Sequence, residues 1–130
     1  MEYHEYWITT DKYFDLHVWD IFNEMPLFTL KLQQINARVF DIIELVEINI
    51  IAVGSVDKKV TFWDFYFQKY LFSINMPNSG IHTMVFSGIF QVLITAGYEN
   101  AISLYKINKM YSERSLIGQF KGHLALINTL

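Results

Sequence analysis

The sequence has no cysteine, little charge and no long apolar run. Its 130 residues are 18% charged and 52% hydrophobic, and without cysteine the chain has neither disulfides nor thiolate metal ligands. Residues 48–54 form its most apolar stretch, but Asn49 interrupts it and it falls short of the ~18 apolar residues of a membrane-spanning helix. Residues 1–5 carry acids where a signal peptide is basic. We therefore expect an intracellular, cytoplasmic protein with no membrane partner.

Basic residues are few and scattered. The formal net charge is −3, and the ten lysines and arginines form no stripe along the sequence. A protein that binds a nucleic-acid duplex needs clustered basic side chains to displace counterions from phosphates. Nucleic acid is therefore not an expected partner. The apolar content is also too high for a disordered segment, so we expect a packed domain.

What the sequence does contain is an internal repeat. Trp19, Trp63 and Tyr105 follow one another at intervals of about 42–44 residues, which is the period of a four-stranded propeller blade. A glycine followed by an acid, at 54–57 and again at 97–99, repeats with similar spacing. The aligned segments are Asp15–Asp20, Lys59–Asp64 and Ala101–Lys106.

Alternation and turn residues divide each repeat into short strands. In the third strand of each repeat, one face carries Leu16/Val18, Val60/Phe62 and Ile102/Leu104, and the other carries His17/Trp19, Thr61/Trp63 and Ser103/Tyr105. The complete strand set of the second repeat is predicted at Arg38–Leu45, Ile48–Gly54, Lys58–Phe65 and Lys69–Asn75. That of the third is predicted at Ile81–Ser87, Gln91–Ala96, Ala101–Ile107 and Ser115–Phe120.

These motifs resemble the signature of the WD-repeat (WD40) β-propeller family. Asp57 precedes Trp63-Asp64 by six residues, Gly122-His123 is similar to the Gly-His that opens a repeat in that family, and the resemblance runs from about Tyr6 to Leu130. It implies an all-β fold, a partial β-propeller of about three four-stranded antiparallel blades, open at both ends. The implied units are a partial blade at about 1–33, blades at about 34–76 and 77–121, and the start of a fourth at about 122–130. The remaining blades are expected in a longer parent chain.

The resemblance also implies a structural role for the signature residues. In the family, a turn Asp, a Trp on the third strand, a Ser or Thr on the second strand and the Gly-His histidine form a buried hydrogen-bonded network, which is worth most when every member is satisfied. Here the matching positions are Asp57, Trp63, Asp64, Thr95, Glu99, Tyr105, Trp19, Asp20, Gly122 and His123.

The repeats are degenerate at several of these positions. In the second unit Val53 occupies the Ser/Thr position, and in the third Met76-Pro77 stand where Gly-His is expected. In the first unit the acid, Asp11, lies eight residues before Trp19, so that hairpin is longer. We expect apolar packing to hold these units together more than the hydrogen-bonded network does.

No residue pattern predicts catalysis. Asp15 and His17 share a strand face, with Asp11 and Asp20 nearby, which permits an acid–base or metal site. However, His17 occupies the variable polar position that holds Thr61 and Ser103 in the other repeats, and the sequence has no nucleophile or phosphate-binding motif. We predict no catalytic residue, no metal site and no cofactor.

The remaining functional surface is the rim of loops on the sheet scaffold, where binding residues concentrate. By register with the family, the predicted partner-binding positions are Asn36, Arg38, Val56, Asn78, Gly80, Tyr98, Leu124 and Leu126. Tyr66 and Phe67 either anchor a partner or cover a blade's outer strand. We predict a non-catalytic scaffold that binds other proteins. The alternatives are an enzyme built on a propeller body and a truncated, non-functional gene product.

Overall fold

The chain forms antiparallel β-sheets almost throughout the part described by the computed structural model, which comprises residues 6–13, 15–22, 24–32, 37–76, 80–97, 101–107, 114–122 and 130. One turn of 3-10 helix, Val46–Ile48, interrupts the strands. The strands are β1 (Tyr6–Thr10), β2 (Leu16–Asp20), β3 (Pro26–Leu30), β4 (Val39–Leu45), β5 (Ile50–Ser55), β6 (Lys59–Asp64), β7 (Lys69–Asn75), β8 (Ile81–Ser87), β9 (Val92–Gly97), β10 (Ala101–Ile107) and β11 (Arg114–Lys121).

The strands pair in chain order within three sheets. The first sheet is β1-β2-β3, the second β4-β5-β6-β7 and the third β8-β9-β10-β11, and all neighbours are antiparallel. The first strands of the second and third sheets, β4 and β8, lie side by side. The Met84 main-chain N–H on β8 donates to the Asp41 carboxylate on β4 over 2.7 Å. The sheets are successive meanders, and the first strands of the second and third lie together.

The strands predicted for the second and third repeats are all present. Three of them, Lys69–Asn75, Ile81–Ser87 and Ala101–Ile107, have the predicted bounds, and the others differ by two residues or fewer at either end. The predicted alternation is also confirmed, since Leu16 and Val18 pack in one core cluster with Trp63, while Val60 and Phe62 pack in another with Tyr105. The boundaries proposed for the blades stay a prediction.

The second sheet lies between the other two and is buried on both faces. One face, with Ile51, Val53 and Trp63, packs on Leu16 and Val18 of the first sheet. The opposite face packs on the third sheet through Ala52, Val60, Phe62, Phe72, Met84, Leu93 and Tyr105. At roughly 25 cal/mol per Å² of apolar surface removed from water, this two-sided burial is the main stabilising contribution.

The outer face of the third sheet is apolar and partly open. Ile102 and Leu104, which point away from the second sheet, are only partly buried. A shallow cavity of about 330 Å³ lies on this face, lined by Val85, Ile94, Ile102, Leu104, Phe120 and Leu130. The corresponding face of the second sheet is the one that the third sheet covers.

Replacing Trp63 tests the two-sided packing. Trp63 is 4% exposed, and its ring lies 5.4 Å from the Tyr70 ring. We expect Trp63→Ala to lower the free energy of unfolding by about 3–5 kcal/mol, as for other buried aromatics. Trp7, 65% exposed, is the matched control, and Trp7→Ala should cost less than about 1 kcal/mol in chemical denaturation. Equal losses for the two variants would contradict the burial of Trp63.

Candidate functional site

The antiparallel order places the turns at two opposite ends of the sheets. The loop rim consists of turns 11–15 and 56–58 and of the connections that enter β4 and β8. The turn rim consists of turns 21–25, 46–49, 65–68 and 88–91. The second and third sheets lie close together at both rims, with no room for a side chain at two glycines. On the loop rim, a Cβ added to Gly80 would lie 2.8 Å from the Val56 carbonyl oxygen, and on the turn rim, a Cβ added to Gly88 would collide with the Glu47 carboxylate.

In the second unit the signature residues Trp63 and Asp57 are hydrogen-bonded to hydroxyl residues of the same sheet. The Trp63 indole N–H donates to the Thr61 hydroxyl over 3.1 Å, and that hydroxyl lies 3.5 Å from the Val53 carbonyl oxygen. Asp57 accepts a hydrogen bond from the buried Ser55 hydroxyl. Two hydroxyl residues next to the expected position, Ser55 and Thr61, thus supply what Val53 lacks. Sequence reasoning missed them because it looked for one hydroxyl at a fixed register.

In the third unit a methionine takes the acceptor role. The Tyr105 hydroxyl donates to Met76 Sδ over 3.1 Å, and the Thr95 hydroxyl lies 4.0 Å from the same sulfur. All three side chains are buried. A thioether is a weak acceptor. Met76 nevertheless occupies the position where the family has Gly-His, and it joins Tyr105 on β10 to Thr95 on β9.

In the first unit the network is completed by a histidine on β2, the strand that corresponds to the third strand of a complete repeat. His17 Nε2 lies 3.1 Å from an Asp11 carboxylate oxygen, and its Nδ1 lies 2.9 Å from the Thr29 hydroxyl. The Trp19 indole N–H donates to the Thr9 hydroxyl over 2.8 Å. The hydrogen bond with His17, with those from the main-chain N–H groups of residues 13 and 15, lowers the pKa of the Asp11 carboxyl below its ordinary value.

An imidazole between a carboxylate and a hydroxyl also resembles the arrangement that activates a hydroxyl nucleophile. The position within the repeat favours the structural interpretation. His17 and Trp19 occupy the same face of β2 that Thr61 and Trp63 occupy on β6, and in the second sheet that face is buried against its neighbour. Among the residues that the structure describes, no group of three or more His, Asp or Glu side chains is arranged to hold a metal ion.

The residue that follows each signature aromatic holds a turn of the turn rim. Asp20 accepts from the main-chain N–H of Phe22 over 2.8 Å, and Asp64 accepts from that of Phe67 over 2.7 Å. In the third unit this residue is Lys106, and its Nζ donates to the Phe90 carbonyl oxygen over 2.7 Å. The aspartates of the signature therefore act on turns at the surface.

Three of the predicted rim residues are described. Arg38 is exposed, and its guanidinium lies 5.2 Å from the Phe40 ring centroid. Val56 is 39% exposed, whereas Gly80 is buried against the Val56 backbone. Gly122 is exposed, with no atom within contact distance of a Cβ added there. The other predicted positions lie outside the described residues: Asn36, Asn78, Tyr98, Glu99, His123, Leu124 and Leu126.

Comparison with known proteins shows the fold. No protein-family model matches the sequence, and no curated protein matches it. The fold is similar to that in the crystal structure of the RRP9 WD40 repeats, with a TM-score of 0.80 and 12% sequence identity over 94% of this chain. The match spans 37% of the length of that protein. The chain has the all-β fold of part of a WD40 β-propeller, and the predicted fold class is confirmed.

In the part of the chain that the structure describes, the longest helix is the single 3-10 turn, so none has the length and apolarity that crossing a membrane requires.

A double-mutant cycle tests the role of Met76. Met76→Leu keeps the apolar volume but removes the sulfur acceptor, and we expect a loss of about 0.5–1.5 kcal/mol in the free energy of unfolding. Tyr105→Phe removes the donor. The two losses should be less than additive, with a coupling of about 0.5–1 kcal/mol. Additive losses in urea denaturation would show that the hydroxyl and the sulfur do not interact.

The lowered pKa of Asp11 predicts a pH dependence of stability. A carboxyl whose folded pKa is lower than its unfolded pKa stabilises the fold fully above the unfolded value of about 4. This stabilisation is lost as the pH falls through the folded pKa. We therefore expect Asp11→Asn to lower the melting temperature at pH 7 and to have a progressively smaller effect as the pH falls below about 4, with Asp15→Asn as the neighbouring control. An effect of equal size at both pH values would exclude a role for the charge.

Proposed function

We propose that this chain is a non-catalytic scaffold that binds other proteins through the loop rim. The observation that carries the proposal is the link between Arg38 and Val56. The Val56 main-chain N–H donates to the Arg38 carbonyl oxygen over 3.0 Å, so an exposed guanidinium and an exposed apolar side chain are held next to each other by the backbone. A binding surface fixed before the partner arrives loses less conformational entropy on binding.

Packing at the base of the rim supports the same proposal. Gly80 allows the start of the third sheet to approach the Val56 turn, since a Cβ there would lie 2.8 Å from the Val56 carbonyl oxygen. Gly97 in turn leaves room for Gly80, since a Cβ at Gly97 would collide with the Gly80 carbonyl oxygen. Exposed loops on a rigid sheet scaffold are where binding residues concentrate, and arginine is enriched among residues that dominate binding energy. The resemblance to WD-repeat proteins assigns the same role to Asn36, Asn78, Tyr98, Leu124 and Leu126, which complete the proposed surface.

The charges at this rim favour a protein over a nucleic acid as the partner. Basic residues are interspersed with acidic ones, so the described loop rim and adjacent strand ends offer no continuous basic stripe for phosphates. The basic residues are Lys12, Lys31, Arg38, Lys58, Lys59 and Lys121, and the acidic ones are Asp11, Asp15, Asp41 and Asp57. An intracellular, cytoplasmic location stays a prediction from the sequence.

Further blades form part of the proposal. The open outer face of the third sheet carries the apolar side chains that, in the second sheet, are covered by the next sheet. A further sheet from a longer parent chain would bury them in the same way, since stacked repeats are stabilised by their nearest neighbours.

Two valines provide a matched test of the loop rim. Val56 lies on the loop rim, and Val46, which is 64% exposed, lies on the turn rim. At least one protein that co-purifies with the tagged chain from cell extract should be reduced at least about tenfold by Val56→Asp, equivalent to about 1.4 kcal/mol. The same protein should be retained by Val46→Asp, since that substitution changes only the turn rim. Arg38→Glu should act like Val56→Asp.

Thermal unfolding of each variant controls for folding, since exposed substitutions usually change stability by less than about 0.5 kcal/mol. Recovery of the same proteins in the same amounts from all three variants would remove the loop rim as the binding surface.

A further inference from the structure

Among the residues that the structure describes, exposed apolar side chains concentrate at the turn rim, which the proposed function does not use. Ile89 is 91% exposed and Phe22 is 80% exposed, and both lie at the tips of turns. In the described turns of the loop rim, the large apolar side chains that are exposed are Tyr13 and Val56. Those exposed on the turn rim are Phe22, Met25, Val46, Tyr66, Phe67, Ile89 and Phe90.

These side chains are presented by turns of fixed conformation. Each turn contains a residue other than glycine in the left-handed region, with φ between 51° and 55°; the four are Glu24, Asn49, Gln68 and Gln91. Such residues cost free energy and persist where the surrounding structure determines them. The hydrogen bonds of Asp20, Asp64 and Lys106 described above fix three of these turns.

The turns also adjoin one another, so the apolar side chains lie at the same end of neighbouring sheets. The Phe65 main-chain N–H donates to the Asn49 carbonyl oxygen over 3.0 Å, which joins two turns of the second sheet. The Tyr6 ring of the first sheet lies 5.2 Å from the Phe65 ring. Glu47 lies against Gly88 of the third sheet. Exposed apolar side chains that are grouped at one end of a protein and bordered by polar residues are characteristic of an interaction site.

Charge at the turn rim restricts the chemistry of the partner. Among the residues whose side chains the structure describes, the acids in these turns and at the adjacent strand ends are Asp20, Glu24, Glu44, Glu47 and Asp64, against the basic residues Lys69 and Lys106. Lys69 lies 5.6 Å over the Phe67 ring and Lys106 donates to the Phe90 carbonyl oxygen, and neither contact neutralises a carboxylate of this rim. Desolvation raises the pKa of Tyr6, and the Glu44 and Asp20 carboxylates raise it further, in keeping with a negative potential at this end of the sheets.

The geometry points to the turn rim as a second docking surface, which binds a protein segment whose apolar side chains are flanked by lysine or arginine. The apolar tips supply the buried contact area, and the acidic border pairs with the basic flanks of the partner. The same acidic border repels an anionic lipid surface, which attracts basic proteins. It also repels the turn rim of a second copy of this chain. This docking surface is separate from Arg38 and Val56 and stands independently of the loop rim.

The probe is a fluorescently labelled amphipathic helical peptide with a leucine face flanked by lysines. A second peptide, with the same leucine face and glutamates in place of the lysines, controls for charge. Fluorescence anisotropy with the full chain should show binding of the lysine peptide that is at least about tenfold tighter than binding of the glutamate peptide, and that weakens with added salt. Equal affinities would overturn the proposed charge pairing, and absence of binding would overturn the docking surface.

Variants locate the binding on the chain. The double variant Tyr66→Ser/Phe67→Ser should weaken binding of the lysine peptide at least about tenfold. Ile89→Ser/Phe90→Ser, in the third sheet, should do the same and covers the case in which the first variant does not fold. Tyr13→Ser, at an exposed aromatic on the loop rim, is the matched control and should bind like the unmodified chain. Equal loss with Tyr13→Ser, or none with either double variant, would overturn the location.

Two further measurements test the other occupants of an apolar surface. Flotation with vesicles of phosphatidylcholine, alone and mixed with phosphatidylserine, should leave the chain unbound, and binding that the double variants abolish would overturn the proposal in favour of a membrane. Sedimentation should show the same self-association for the unmodified chain and the double variants. Self-association lost in these variants would overturn the proposal in favour of a second copy.

Val56→Asp, used for the loop rim, should not change peptide binding, so the two proposals fail separately.

Discussion

Burial of the second sheet on both faces is the constraint on which the rest of the structure depends. Val60, Thr61, Phe62 and Trp63 are consecutive and all buried, because alternate residues of β6 face opposite neighbours. A hydroxyl or indole on such a strand cannot turn to water, and an unsatisfied buried polar group costs about 1–3 kcal/mol. Each polar side chain on the strand must therefore find its partner within the same sheet or on the sheet packed against it.

The donors at the matching position of the three units, buried Trp63 and Tyr105 and partly buried Trp19, are paired with different side chains. Trp63 donates to a hydroxyl on its own strand, Trp19 donates to one on the preceding strand, and Tyr105 donates to the sulfur of Met76. What the units share is a donor at one register position with an acceptor within about 3 Å, which is the ordinary hydrogen-bond distance. The packing of the sheets fixes the donor's position, and several residue types then satisfy it.

This explains which features the sequence could predict. The strands follow from alternation and from the spacing of the aromatic positions, both of which reflect which side of a sheet is buried, so β7, β8 and β10 were predicted with their observed bounds. Acceptors such as Met76 and Thr61 were not predicted, because the sequence comparison tested single positions for particular residue types. Three-dimensional proximity allowed a thioether or a neighbouring hydroxyl to serve instead. The exposure of Tyr66 and Phe67 was left open for a related reason: alternation does not extend into turns, where each side chain's direction is set by the local backbone.

The two rims differ because of what their turns must do within the fold. Besides turns within a sheet, the loop rim carries the chain from one sheet to the next. Gly80 and Gly97 keep that passage closely packed, so little apolar area remains at the described tips. The turn rim joins strands within a sheet, and its turns are fixed locally by Asp20, Asp64 and Lys106. A turn that is fixed by its own hydrogen bonds does not need its side chains for packing. Its apolar tips are then free to contact a partner without loss of the fold, and this separates the residues that stabilise the turn from those that bind.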